Sequence, residues 1–372
     1  MRCIQGPPRT KHVYFSGIFG AILATTATNV AANPPQVDDD GTVNVPAFVL
    51  PQSSLRRSET RVVFKEEHAS EKEDANAAEP CPSDRHADAS QMPAIRKCEA
   101  DALYKSPYYQ HLRERYGVEM VPTRIGGVFT EVFVPKEGIA PKNQRRVLIN
   151  VHGGGFLGGS RTSSHIESIP IASVGKIKVV SIDYREGPEY TFPAASEDVA
   201  AVYRQLLKSY KPNSIGIYGC SAGGLLTAQA VVWLSKEGLP RPGAVGMLCE
   251  GALYWSEGDT GYFDAALRGA DLETPHQTQY LKNADLSDPL VFPARSPQVM
   301  AKFPPSLLIS ATRDKALSSV VYTHSLLVAQ GVDAELHVWE GLGHAFFYDP
   351  DLPESREVYE GVVKFFDRHL DP

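Results

Sequence analysis

The sequence predicts an α/β chain, with a mostly parallel sheet, helices on both faces and a helical cap. Three observations carry that prediction. Short apolar runs alternate with helical stretches from about residue 121 onward. Several of those runs are nearly continuous in Val, Ile and Leu, as strands covered on both faces require. A segment of about fifty residues, Tyr254–Pro305, interrupts the alternation, and a stretch that long inside a compact domain usually serves as a lid or cap.

Taken in order, the first 32 residues stand apart. Arg2, Arg9 and Lys11 give a positive start, Val13–Thr28 is uncharged and apolar, and Val30-Ala31-Ala32 offers small residues for cleavage. That order predicts a secretory signal peptide over 1–32 and hence a secreted or periplasmic protein. The alternative is a retained anchor. No later segment is long and apolar enough to cross a bilayer.

Residues 33–94 read as a poorly structured extension. The run Lys65–Gln91 is dense in charged and small residues and cannot bury enough surface to offset its ordering entropy. Within the extension, Thr42–Leu50 carries a strand-like run (Val43, Val45, Phe48, Val49) that could dock on the domain. Residues 95–120 turn helical, with Pro107 interrupting or restarting the helix, and form the N-terminal part of the cap. Cys81 and Cys98 flank a short polar loop; an exported chain could pair them or leave two thiols free.

The catalytic domain is expected over 121–372, with the cap insertion at about 255–305. Strands are predicted at Val128–Val134, Arg146–Val151, Ile177–Tyr184, Ile215–Tyr218, Val245–Glu250, Ser306–Ser310 and Glu335–Trp339. Helices fall at Ala195–Tyr210, Ala222–Lys236, Ser318–Gly331 and Glu354–His369. Strand–helix alternation of this kind implies a parallel sheet wrapped by helices. Cys220 and Cys249 end core strands and are expected as free, buried thiols.

Composition narrows the function classes. The 372 residues are 42% apolar with a formal charge of −7, and no basic cluster could neutralise a phosphate backbone. The histidines are scattered without ligand spacing, so neither a metal nor another cofactor is expected.

Two glycine-rich stretches carry chemistry. Gly219-Cys220-Ser221-Ala222-Gly223 lies between a predicted strand and a predicted helix. A strand turning sharply into a helix leaves its corner residue strained and exposed, and small neighbours let the two elements pass. Ser221 is therefore the candidate nucleophile. His152-Gly153-Gly154-Gly155 follows another strand, and bare glycine amides suit a developing oxyanion. A phosphate cradle would want Lys and Ser/Thr after the glycines, where Phe156-Leu157 stands.

A serine hydroxyl needs a base. His344, in the glycine-bearing run Gly341-Leu342-Gly343-His344 after the last strand, is the best candidate; His324, His337 and His369 fall within elements. Asp314 directly follows a strand and is the acid of choice, with Asp288 as rival. Glu250 ends a strand near the site; it could tune the histidine or hold the cap, and a structural salt bridge is the favoured reading.

These motifs resemble the bacterial hormone-sensitive-lipase-like esterases of the α/β-hydrolase superfamily. The resemblance runs from about Ile95 to the C-terminus and rests on His152–Gly155, Tyr184-Arg185, Pro188-Glu189, Phe192–Ala195, Gly219–Gly224, Asp314 and His344. It implies an oxyanion hole from the amides of Gly154, Gly155 and Ala222, and a cap that sets substrate choice. It also implies a serine carboxylesterase acting on short- to medium-chain esters or small lactones. Tyr108, Tyr109, Phe156, Leu157, Trp255 and Phe263 are candidates for the pocket wall, with ordinary packing as the alternative for each. The sequence departs from the family in having Cys220 where an Asp is usual before the nucleophile, and Lys315-Ala316 where Pro-Leu usually follows the acid. An amidase or peptidase of the same fold, and a non-catalytic ligand-binding protein, are the rival readings. A small-molecule ester is the expected partner, nucleic acid is not, and a homodimer is left open.

Overall fold

The computed structural model describes residues 35–63, 81–82 and 87–372. The predicted signal peptide and most of Lys65–Gln91 lie outside the described residues.

Two compact units divide the chain at Pro51. In the first, Gln36–Val37 pairs antiparallel with Val43–Asn44 across a turn. The strand expected over Thr42–Leu50 is thus only two residues long, and Val43, Val45, Phe48 and Val49 are exposed. A two-stranded ribbon this short has no second layer to cover such side chains.

The second unit, residues 52–372, is built on eight strands: β1 (Val118–Ile125), β2 (Val128–Pro135), β3 (Val147–Asn150), β4 (Val179–Ile182), β5 (Ile215–Cys220), β6 (Ala244–Leu248), β7 (Ser306–Arg313) and β8 (Ala334–Gly343). Their order across the sheet is β8-β7-β6-β5-β3-β4-β2-β1. The run from β8 to β4 is parallel, and β2 and β1 join antiparallel at one edge. Both faces are covered. Val147 and Ile149 of β3 enter one core and Leu148 the other, which is why these strands read as unbroken apolar runs.

Helices fill the connections: α1 (Met92–Lys105), α2 (Pro107–Arg115), α3 (Ser163–Gly175), α4 (Ala194–Leu206), α5 (Ala222–Lys236), α6 (Asp259–Arg268), α7 (Pro297–Met300), α8 (Leu317–Ala329) and α9 (Pro353–His369). Residues of α4, α5 and α8 belong to one core; those of α2, α3 and α9 belong to the other. Ser106 ends α1 and caps α2, its hydroxyl accepting from the Tyr109 amide, so Pro107 restarts the helix as expected.

Four differences from the sequence reading have physical causes. Strand β1 begins at Val118, inside the stretch assigned to the cap. It is an edge strand with mostly exposed residues, and it tolerates Pro122 there. Helix α3 was missed because Pro170 lies inside it. The interrupted segment holds α6 and α7. Finally, part of the 33–94 extension packs tightly. Arg56 is buried and donates to the Gly341 carbonyl, and Thr60 is buried and donates to Glu354 at 2.7 Å. These anchors are polar, so a search for apolar density passes over them.

Cys81 and Cys98 form a disulfide, while Cys220 and Cys249 are free and buried. The disulfide ties residue 81 to α1. Arg96, on the same helix, donates to the carbonyls of Leu157 and Gly187, both at 2.7 Å, and pairs with Glu189 at 2.7 Å and Glu186 at 3.0 Å.

Candidate active site

Ser221 stands at the corner between β5 and α5, with φ of 57° and ψ of −126°. A residue other than glycine adopts that backbone only under constraint. The constraint is close packing on the loop after β3: a Cβ on either Gly219 or Gly223 would lie 1.9 Å from the Val151 carbonyl oxygen. Only glycine permits that approach.

The parallel strands deliver the other residues to the same rim, outside their carboxyl ends. Asp314 follows β7 at once, and His344 follows β8. Strand β8 is longer than predicted. It continues past an irregularity between Trp339 and Gly343, so the two glycines before His344 lie in a bulged strand end instead of a loop.

The Ser221 hydroxyl lies 2.9 Å from His344 Nε2, and His344 Nδ1 lies 2.7 Å from Asp314 Oδ1. Asp314 also accepts from Ser310 Oγ at 2.8 Å and from the Ala316 amide at 3.0 Å. Burial pushes the Asp314 carboxyl up, but the facing His344 and these hydrogen bonds hold it below its ordinary value. A carboxylate at Nδ1 fixes the tautomer that leaves Nε2 able to accept a proton from Ser221.

The loop after β3 approaches from the other side. Gly154 and Gly155 have φ of 124° and 63°. A Cβ on Gly154 would lie 2.0 Å from the Gly158 carbonyl oxygen. The amides of Gly154, Gly155 and Ala222 have no acceptor among the described residues. His152 is buried, stacked on Tyr184, and burial drops its pKa to about 4, so it stays neutral.

The rival acid Asp288 accepts from the Leu290 amide within its own loop. Glu250 is buried but makes no ion pair among the described residues, so the expected salt bridge is corrected. Burial holds its carboxyl well above the ordinary value.

The candidate wall residues divide. Phe156 is buried and stacked on Tyr280 at 4.8 Å, Trp255 is buried with Lys315 over its ring at 4.3 Å, and Phe263 is exposed. Leu157 packs half-buried beside Met92 and Ile95. Tyr108 donates to the Tyr348 carbonyl at 2.5 Å, and the Tyr109 hydroxyl meets His165 at 2.6 Å.

Two neighbours were not foreseen. The Cys249 thiol accepts from the Ala345 amide at 3.3 Å and so braces the turn that carries His344. Cys249, Asp314 and His344 come within 4.8 Å of one another, a set of metal-capable groups that sequence spacing did not show. The 2.7 Å between His344 and Asp314 is a hydrogen bond. Ligands about 2.0–2.2 Å from a tetrahedral ion stand over about 3 Å apart, so this pair is not set for one. The second neighbour is Glu167. It is buried on α3 and accepts from the Gly153 amide at 2.8 Å, Tyr348 Oη at 2.6 Å, Asn150 Nδ2 at 2.7 Å and the Cys220 amide at 3.3 Å. Burial pushes its carboxyl up to about 7 against the pull of those donors.

Residues 148–348 match the family model described as alpha/beta hydrolase fold. The chain belongs to that family. An acetyl-hydrolase of Streptomyces hygroscopicus is 29% identical over 267 residues, covering 69% of this α/β-hydrolase and 87% of the relative. The solved structure of an esterase named E25 superposes with a TM-score of 0.73 at 28% identity, covering 88% of this chain and 98% of that one. An esterase of the bacterial hormone-sensitive lipase family superposes with a TM-score of 0.68 at 25% identity, covering 84% and 99%. The resemblance read from the motifs and the fold are both borne out.

Proposed function

We propose that this α/β-hydrolase is a serine carboxylesterase that cleaves short- to medium-chain carboxylic esters through an acyl-enzyme. The observation that carries the reading is the unbroken chain from the Ser221 hydroxyl through His344 to Asp314, beside three amides without acceptors. His344 Nε2 takes the proton from Ser221 as its oxygen attacks the ester carbonyl. The imidazolium is stabilised by Asp314, which stays ionised. The amides of Gly154, Gly155 and Ala222 receive the charge that develops on the carbonyl oxygen. His344 then protonates the departing alcohol, and water repeats the cycle on the acyl group. No step calls for a cofactor.

Ser221→Ala tests this directly. The variant keeps its far-ultraviolet circular dichroism and melting temperature and loses turnover of p-nitrophenyl acetate and butyrate. Near wild-type turnover in a folded variant would overturn the nucleophile assignment. A parallel series of lactones and anilides separates lactonase and amidase activity from ester cleavage.

The Cys81–Cys98 disulfide supports export to an oxidising compartment after removal of residues 1–32. Sequencing the mature N-terminus decides between cleavage and a retained anchor.

A further inference from the structure

We infer that Glu167 is a positioning residue for the esterase reaction, a buried carboxylate that holds the oxyanion loop, the nucleophile elbow and the histidine segment in register. The inference rests on the serine-esterase reading and assigns that site a fourth side chain.

Glu167 lies in the second turn of α3 and is 3% exposed. Its Oε1 accepts from the Gly153 amide and from Tyr348 Oη, and its Oε2 from Asn150 Nδ2 and the Cys220 amide. Each donor has a specific address. Gly153 precedes the two glycines with acceptor-free amides. Cys220 precedes Ser221. Tyr348 lies four residues beyond His344, and Asn150 ends β3 just before the oxyanion loop. One carboxylate therefore bridges the three segments on which attack, proton transfer and charge stabilisation depend.

The chemistry of the group matters as much as its place. No cation pairs with Glu167 among the described residues. Two oxygens facing three N–H donors and a hydroxyl suit a carboxylate: an amide nitrogen in place of either oxygen would meet a backbone N–H, and a proton fits only where the Tyr348 hydroxyl turns to accept it. Burial of an acidic group without a cation is unfavourable. The arrangement holds because every acceptor site is used. It also fixes the Gly153 peptide plane, with that amide turned to α3. The peptide planes that follow are then set for the site. Space there is short: a Cβ on Gly153 would meet the Cys220 carbonyl oxygen at 2.7 Å, Tyr348 Oη at 3.1 Å and Ser221 Cβ at 3.3 Å. A shift of a few tenths of an ångström at this junction moves the amides relative to Ser221. Position 220 supplies no carboxylate of its own, so the acceptor comes from α3.

The test uses the full-length protein and three variants. Glu167→Gln keeps the volume and replaces one acceptor with a donor. Expected are a fall in kcat of at least about 10-fold for p-nitrophenyl butyrate, KM within about 2-fold of wild type, and a parallel loss of affinity for an alkyl boronic acid. A boronate forms a tetrahedral adduct with the serine and needs the aligned amides, whereas ground-state binding does not. Tyr348→Phe removes one donor and leaves the carboxylate; it shows a smaller kcat loss with the same KM. Glu167→Asp retains the charge, cannot span all three segments, and falls between wild type and Gln. The inference is overturned by a folded Glu167→Gln with unchanged kcat and boronate affinity, or by a loss confined to KM. Should Glu167→Gln not fold, Tyr348→Phe decides: unchanged kcat and boronate affinity overturn the inference. If wild type itself neither turns over esters nor binds boronate, the esterase reading fails, and that result is distinct from a failure at Glu167.

Discussion

The backbone of Ser221 is held at positive φ by glycines on either side and by the amide-to-carbonyl bond to Leu248 at 2.8 Å. Its hydroxyl is therefore delivered to one place, and its reactivity depends on what stands behind the imidazole. Asp314→Asn isolates that dependence. With its NH2 group in the place of Oδ1, the carboxamide faces His344 Nδ1 and selects the tautomer with hydrogen on Nε2, while its oxygen still accepts from Ser310 and the Ala316 amide loses its acceptor. Nε2 cannot then accept the serine proton. We expect kcat to fall by roughly 10⁴-fold, with KM little changed and the fold intact, measured on p-nitrophenyl butyrate. A loss below 10-fold would place the working acid elsewhere. All three residues of this relay were legible in the sequence, because each follows a strand, Ser221 is bracketed by glycines and His344 is preceded by two. Glu167 was not. A glutamate within a helix carries no local sign of its function, and the donors that define it are two backbone amides, a tyrosine and an asparagine from distant segments. Cys249 escaped notice for the same reason: its partner is the backbone amide of Ala345.

Among the elements, α1 illustrates how the cap segment is fastened to the catalytic domain. The disulfide at Cys98 holds one side of the helix, and Arg96 grips the segment Glu186–Glu189 and the carbonyl just beyond the oxyanion loop. Arg96→Leu removes the cation paired with Glu186, a carboxyl group that is 4% exposed and has one oxygen without a hydrogen-bond partner among the described residues. Leaving such a group alone destabilises by up to about 3–5 kcal/mol where it is ionised, and by less below about pH 8, where Glu186 takes a proton. The urea midpoint of Arg96→Leu should fall accordingly, and Arg96→Leu combined with Glu186→Leu should regain a large part of the loss. A single variant as stable as wild type would show that the clamp contributes nothing. The central strands were legible because burial on both faces leaves an unbroken Val/Ile/Leu signature. The edge strand β1, the proline-bearing α3 and the docking of residues 52–63 were not. In each of these, solvent exposure, a helix-interrupting residue or polar anchoring replaces the apolar pattern on which sequence reading relies.

At the scale of the whole molecule, three buried carboxyl groups, Glu167, Glu186 and Glu250, set the response to pH. Burial pushes Glu167 up to about 7, Glu186 up to about 8 despite Arg96, and Glu250 well above its ordinary value. In the unfolded chain each ionises near 4.5. Between those limits the folded protein binds more protons than the unfolded one, so stability falls as pH rises, by up to about 1.4 kcal/mol per pH unit for each such group. His152 acts in the opposite sense only below about 6.5, where the unfolded imidazole takes a proton that the folded one refuses until about 4. Asp314, held below its ordinary value of 3.8, contributes only in stronger acid. From pH 6.5 to 8.5 the carboxyls act alone among these groups. The melting temperature should therefore decline steadily across that interval, and Glu186→Gln, which cannot titrate, should flatten the decline. Calorimetry in matched buffers measures it; a melting temperature that rises with pH would contradict the burial of these acids. Activity should move the other way through pH 7, because only the carboxylate form of Glu167 accepts from all four partners. The protein then gives up stability over the same pH range in which its site becomes fully ordered.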